Sequence, residues 1–375
     1  MKTVLKKIHE ILDEELLGKL YYVAVFIYSF RMAFRNSLII QFSSYTKLLI
    51  YGLLFLLLIP KVILQKYNRK QIAISAIVLG FSLVAYYINR TRNLLIIPLI
   101  LIGVKDCDIK RVIRMVFIAT VCFVIIHTAG YFIDHFINGG TLYNIPFFVR
   151  DGNERSTVLC KSYNNYGAIT SMATIQYLFL TNRKNRRNEK TISLVLLSIF
   201  FYAIGTSRTS LIISLLVVSF LLVENNDFVT CNLKPIKLIV FIICCFFSFS
   251  MFYIKYDGGF WMFADKLLSG RISLASLAKE MYGLSLWPQI GKLLDNPIYI
   301  DNYVVYLTIV YGFLFTAVFL LCIYIINKFS ENETIIDYFT IVTFFWAVTE
   351  RYLAYVTLTI VPLITIYNYY RKYEE

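Results

Sequence analysis

One apolar stretch after another, each of about the length a bilayer requires, fills this 375-residue chain. That feature excludes most folds, because a backbone in hydrocarbon must satisfy its own polar groups, and helices do so within a single segment. The expected spans cover residues 20–34, 46–64, 71–88, 93–104, 112–133, 163–181, 191–205, 209–223, 236–254, 302–326, 335–349 and 352–370. The reading is an all-α polytopic integral membrane protein, a single membrane domain of about twelve transmembrane helices. The span at 93–104 is short and holds Pro98, so it is expected to tilt, re-enter or extend into its neighbours. Composition agrees: 58% of residues are hydrophobic and only 16% charged, against about 25% in a soluble domain.

The chain carries 37 Lys+Arg against 23 Asp+Glu, a formal charge of +14. A basic balance can mark nucleic-acid binding, but here the cations sit in short loops between apolar segments. Lys66, Arg69 and Lys70 form one group, and Lys105, Lys110, Arg111 and Arg114 a second. Arg183, Lys184, Arg186, Arg187 and Lys190 form a third, Lys234 and Lys237 a fourth, and Arg371 and Lys372 a fifth. If the spans alternate, all five share one face, which the positive-inside rule makes cytoplasmic, with both termini on it. Arg90 and Arg92 are the discordant pair, falling on the other face. No nucleic-acid partner is expected. The N-terminal residues 1–19 mix acids and bases and lack a small-residue cleavage site, so the first span is expected to be retained.

Two long polar loops, 134–162 and 255–300, then fall on the outer face together with the turns at 205–209 and 350–351. Within the second, Phe263, Leu267, Ile272, Leu274, Leu277 and Met281 recur at helical spacing, which predicts one or two amphipathic helices in the interface, with Trp261 and Trp287 at headgroup level.

Arginines concentrate on these outer segments. Gly205-Thr206-Ser207-Arg208-Thr209-Ser210 is a tight turn rich in hydroxyls, with Arg208 as a planar donor for phosphate oxygens or as a cation that snorkels from a span end. Arg150, Asp151, Glu154 and Arg155 can bind a pyrophosphate and supply a base, or pair among themselves in solvent. Arg271 follows Gly270. Asp301 suits a general base or a helix cap, and Glu350-Arg351 reads as a surface ion pair. His127 lies inside a span, where a hydrogen bond within the bundle is expected, and His135 lies at the outer mouth of its span, where proton transfer is the better use. Neither His9 and these two nor the seven scattered cysteines have metal-ligand spacing, so no metal and no cofactor is expected.

Several of these segments together resemble the Wzy-type polysaccharide polymerases and their O-antigen ligase relatives. Arg150 and Arg155 ahead of Lys161-Ser162-Tyr163-Asn164-Asn165-Tyr166-Gly167 are similar to the family's Arg-rich loop and the motif opening its next span, although Ser162-Tyr163 stand where His-Pro is common, so no catalytic His carries over. The turn at Arg208 looks like the family's Gly-Ser-Arg-Thr type, and Gly270-Arg271, Asp301-Asn302-Tyr303 and Tyr311-Gly312 look like the end of its large external loop. Thr349-Glu350 looks like its Thr-Glu near the last spans. The resemblance covers most of residues 147–351 and implies a metal-independent glycosyltransferase at the outer face of the bacterial cytoplasmic membrane, acting on undecaprenyl-pyrophosphate-linked glycans. It implies Arg150, Arg155, Arg208, Arg271 and Asn164 as substrate contacts, and a base among Glu154, Asp151, Asp301 and His135. A chain-length regulator and a flippase of the same pathway are the implied partners. An O-antigen ligase shares the donor chemistry and is the main rival. A repeat-unit flippase fits less well, because two long outer loops on one face are not what it needs. An ion-coupled transporter wants charge at mid-bilayer, where only His127 is expected.

Overall fold

The structure is a computed structural model describing residues 13–89, 92–137, 148–150, 153–155, 158–161, 163–181, 185–254, 259–268, 270–289, 300–350 and 356–372. It is helical apart from one small hairpin. The chain forms α1 (Glu14–Ala33), α2 (Ser44–Leu64), α3 (Arg69–Asn89), α4 (Asn93–Gly103) and α5 (Ile109–Ile137). The hairpin follows, β1 (Phe148–Arg150) pairing antiparallel with β2 (Asn153–Arg155). Then come α6 (Tyr163–Leu180), α7 (Arg187–Gly205), α8 (Arg208–Val223), α9 (Asp227–Ser250), α10 (Gly259–Leu267) and α11 (Arg271–Tyr282). The last helices are α12 (Tyr303–Phe329), α13 (Thr334–Thr349), α14 (Val356–Thr359) and α15 (Val361–Lys372).

The expected spans fall on helices, the last of them on two, and among the described residues six helices, including α2, α5, α9 and α12, are long and apolar enough to cross a membrane. The helices start where the sequence supplies caps. Asp13, Ser43, Asn226 and Asn302 each accept a hydrogen bond from a backbone amide of the first turn that follows, satisfying donors that have no intrahelical partner. The exposed faces are apolar: Leu49, Leu56 and Ile63 on α2, and Ile239, Ile243 and Phe246 on α9, lie on the surface. Apolar rows of that kind are what a hydrocarbon surround accepts and water does not. The molecule is membrane-embedded.

Inside, Tyr21, Tyr28, Phe34, Phe123, Tyr166, Phe220 and Phe339 join α1, α5, α6, α8 and α13 in one core. A second core packs α11 against α9 and α12 through Ile272, Ala275, Ala278, Phe241, Val305 and Ile309. Where the expectation gave one or two amphipathic helices, the described residues hold α10 and α11, and they behave differently. Helix α10 buries no residue, whereas α11 turns one face inward. Asp265 of α10 fixes that entry, accepting from the amides of Ile272 (2.8 Å) and Ser273 (3.0 Å), and Gly270 makes the bend at φ 81°.

Two spans expected to be continuous are broken. Helix α12 is interrupted at Gly312 (φ 82°, ψ 164°), and residues 285–289 fill the break. There Phe313 N–H donates to Ser285 O (2.8 Å), Leu314 N–H to Leu286 O (3.2 Å) and Gln289 N–H to Val310 O (3.3 Å). A Cβ at Gly312 would stand 2.6 Å from the Trp287 carbonyl carbon, so only glycine admits this approach. Trp287 therefore belongs to the segment that lies in the break of α12. The last span divides into α14 and α15 at Ile360, whose φ is 53°.

Hydrogen bonds sort the loops to two ends of the bundle. At one, Lys105 donates to the Lys66 carbonyl, Gln65 to Asp106 (2.7 Å), Gln71 to the Tyr370 carbonyl (3.1 Å), and Lys372 pairs with Glu331 (2.7 Å). At the other, Asn36 donates to Asn165 (3.0 Å) and Ser37 bridges to Cys160. Two cations counted as loop charges, Lys105 and Lys237, are buried. Lys237 is fully enclosed and pairs with Asp337 of α13 at 2.6 Å, so His127 is not the only ionisable group within the bundle.

Candidate functional site

Five segments far apart in the chain meet at the second end of the bundle, and a buried carboxylate, Glu350, is their centre. It caps α13, its amide donating to Trp346 O (2.8 Å), and it is 2% exposed. Its Oε1 accepts from Arg271 Nη2 (2.8 Å) and from Asn164 Nδ2 (2.9 Å). Asn164, in the first turn of α6, accepts in turn from Ser207 Oγ (3.3 Å), and Ser207 shares a hydrogen bond with Ser210 (2.9 Å). Asp301 stands on the far side of Arg271, with Oδ2 3.6 Å from Nη2. Glu350, expected at the surface, is instead buried and pairs with Arg271, while Arg351, its expected partner, lies outside the described residues.

Backbone geometry makes the convergence possible. Thr206 ends α7 in the left-handed region (φ 51°) and Ser207 opens α8. Gly167 packs so tightly against this turn that a Cβ there would meet Ser210 Oγ at 2.6 Å. Asn302, not Asp301, caps α12 by accepting from Val305 N–H (3.0 Å), which leaves Asp301 to face Arg271. Asn302 is itself anchored to Ser248 (2.9 Å).

Arg271 is enclosed. Its Nε donates to the Thr349 carbonyl, its Nη1 to Leu268 O (2.6 Å), and its Nη2 meets Glu350 and Asp301. The residue is 5% exposed. One guanidinium thus serves two carboxylates, and the three side chains together carry a formal excess of negative charge. That arrangement holds carboxylates in place and offers few donors to an incoming anion.

The other expected site residues fall in three places. Arg208 is exposed at the start of α8, beside Ser207, and makes no ion pair among the described residues. His135 is exposed near the end of α5, stacked on Tyr131 at 5.9 Å with its apolar neighbours Phe132 and Phe136 also exposed. No hydrogen bond joins it to the Glu350 network among the described residues, while the adjacent Asp134 is buried. Arg150, Glu154 and Arg155 lie in the hairpin, with Val149 opposite Glu154 and Arg150 opposite Asn153. Asp151 lies outside the described residues. His127 is fully buried and its Nδ1 meets Phe123 O at 3.0 Å.

Sequence reasoning missed the role of Glu350 and the participation of Ser207. It also missed Arg31, a buried arginine of α1 whose Nη1 donates to Asn93 Oδ1 (2.9 Å) and whose guanidinium lies 4.4 Å over the Tyr51 ring. Arg31 drew no attention because it falls inside an otherwise apolar span, where a single cation resembles a snorkelling one.

No protein-family model, curated protein or solved structure matches this chain.

Proposed function

We propose that the chain is a glycan transferase working on polyprenyl-pyrophosphate-linked oligosaccharides at the outer face of a bacterial cytoplasmic membrane, joining repeat units into a polymer. The observation that carries this reading is the union of Asn164, Ser207, Arg271, Asp301 and Glu350 in one network. These residues belong to the same five segments that resemble the Wzy-type polymerases, and nothing in the sequence alone requires segments so distant to touch. On this reading the faces are those expected from loop charge, with the Glu350 network outside and both termini cytoplasmic.

The transfer breaks the bond between the anomeric carbon of the growing glycan and its pyrophosphate. It forms a glycosidic bond to a hydroxyl of a second lipid-linked unit, whose proton passes to a base. Asp301 is the base that the geometry favours. It is held 3.6 Å from Arg271 and its side chain is more exposed than that of Glu350, 13% against 3%, which a group meeting a sugar hydroxyl requires. Glu350 and Asn164 fix Arg271 and Ser207 and act as positioning residues. Arg208, exposed and uncompensated, together with Arg150 and Arg155 of the hairpin, stabilises the departing pyrophosphate. A ligase of the O-antigen type uses the same donor chemistry and differs in its acceptor.

In cells depleted of their own polymerase, wild type is expected to restore a ladder of glycan lengths. Asp301→Asn and Arg208→Ala are each expected to leave single repeat units at normal protein levels. Full ladders from both variants would remove these roles, and single units from wild type would favour the ligase.

A further inference from the structure

A second group of cations lies at the same end of the bundle. Arg31 of α1 is 7% exposed, its Nε is buried without a hydrogen-bond partner among the described residues, and its contacts are Asn93, Tyr51 and the neighbouring Met32 sulfur. Arg35, in the turn after α1, is exposed, and its charge opposes that of Arg31. Arg92, at the start of α4, is also exposed, and the charges of all three act on the Tyr51 hydroxyl. That hydroxyl donates to Asn93 Oδ1, the same oxygen that Arg31 holds. None of the three arginines pairs with a carboxylate among the described residues. Like charges gathered around a buried guanidinium cost free energy unless an anion joins them.

Directly below, a cavity of about 350 Å³ runs between α3, α4, α12, α13 and α15. Arg35 and Asn93 stand in its wall, and the rest is mostly apolar and aromatic, including Ile97, Phe81, Tyr306, Phe315 and Phe344. Its lining residues on α12 extend from Tyr303 to Asn327. An apolar cavity with Arg35 in its wall, and Arg31 and Arg92 beside Asn93 of the same wall, matches one ligand shape, an anionic head on a hydrocarbon chain.

We propose that Arg31, Arg35 and Arg92 hold the diphosphate head of an isoprenoid lipid whose chain occupies this cavity. The isoprenoid identity rests on the function proposed above; the anionic head and apolar tail rest on the geometry alone. Asn36, next to Arg35, is bonded to Asn165, next to Asn164 of the Glu350 network. The two sites are therefore neighbours. A polymerase must hold two lipid diphosphates at once, donor and acceptor, whereas a ligase holds one. The arginine cluster supplies a place for one lipid diphosphate, and Arg208 with the hairpin receives the other. It also explains why Arg92 departs from the positive-inside pattern: it serves a ligand rather than topology.

The test is lipid binding by the purified full-length protein in detergent, using polyprenyl diphosphate, polyprenol, phosphatidylglycerol and inorganic pyrophosphate as probes. Polyprenyl diphosphate is expected to bind in preference to the other three. Arg35→Gln and Arg92→Gln, both exposed and therefore safe for folding, are expected to weaken it on the order of tenfold each. Ile97→Trp and Ser82→Trp, which fill the cavity, are expected to weaken the lipid while leaving inorganic pyrophosphate unchanged. Unaltered lipid binding by all four variants would overturn the site, and equal binding of phosphatidylglycerol would overturn the isoprenoid assignment. Polymer ladders are read separately. Loss of transfer in Arg208→Ala with lipid binding intact speaks to the transferase reading, and loss of binding in Arg35→Gln speaks to this one.

Discussion

Two arginine sites lie side by side in this bundle and are built on opposite plans. Arg271 is closed in by two backbone carbonyls and two carboxylates, Asp301 and Glu350. Arg31, with Arg35 and Arg92 near it, pairs with no carboxylate among the described residues, and Arg35 stands in the wall of an apolar cavity. A buried cation whose donors are filled by the protein is part of the scaffold, because removing it strands its partners. A cluster of cations left uncompensated holds free energy in reserve for an anion. Position in the sequence gives no hint of this contrast. Arg271 looked like a phosphate ligand and Arg31 like part of a span, yet protein acceptors enclose Arg271 while the buried Nε of Arg31 has no hydrogen-bond partner among the described residues.

The difference can be broken by mutation, and the largest effect belongs to the closed site. Arg271→Ala leaves Asp301 and Glu350 without their cation and is expected to cost about 3–5 kcal/mol, seen as a much lower unfolding temperature in detergent. Arg271→Met with Glu350→Gln is expected to recover part of it. Unchanged stability in the single variant would remove the scaffold role. Lys237→Ala should behave alike, since Asp337 would be left buried, with a cost of about 3–5 kcal/mol that Lys237→Met with Asp337→Leu largely abolishes.

Next in size is Gly312→Ala. The positive φ and the contact with the Trp287 carbonyl are expected to cost about 1–3 kcal/mol, read as a lower unfolding temperature. No change there would mean that residues 285–289 do not sit in the break of α12. The smallest effect belongs to the open site. Arg35→Gln and Arg92→Gln are expected to move stability by about 0.5 kcal/mol or less, in either direction, because they remove repulsion and no pair. A loss as large as that of Arg271→Ala would mean that the cluster is scaffold too.

Much of the fold was legible in the sequence because hydrocarbon imposes one rule on every span, and the rule leaves a run of apolar residues between polar punctuation. The 205–210 turn was evident from its glycine and hydroxyls. The break at Gly312 was not legible, since it depends on a loop from elsewhere entering the helix. Nor was the split at Ile360, where a β-branched residue adopts a left-handed φ. For the site, the segments could be named but not joined. Glu350 was read with the adjacent Arg351 because local sequence offers only near neighbours, whereas the partnership with Arg271 spans 79 residues. Asp301 suited a cap in the sequence, and the backbone gave that role to Asn302.

The central claim is that this end of the bundle joins one lipid-linked glycan to another. Its most direct measurement uses purified protein in vesicles supplied with a polyprenyl-diphosphate-linked repeat unit, with products resolved by length. Wild type is expected to yield chains of many repeats, and Asp301→Asn to leave the single unit even though it still binds the lipid. A wild-type protein that binds the lipid and never yields a product longer than one unit would contradict the account.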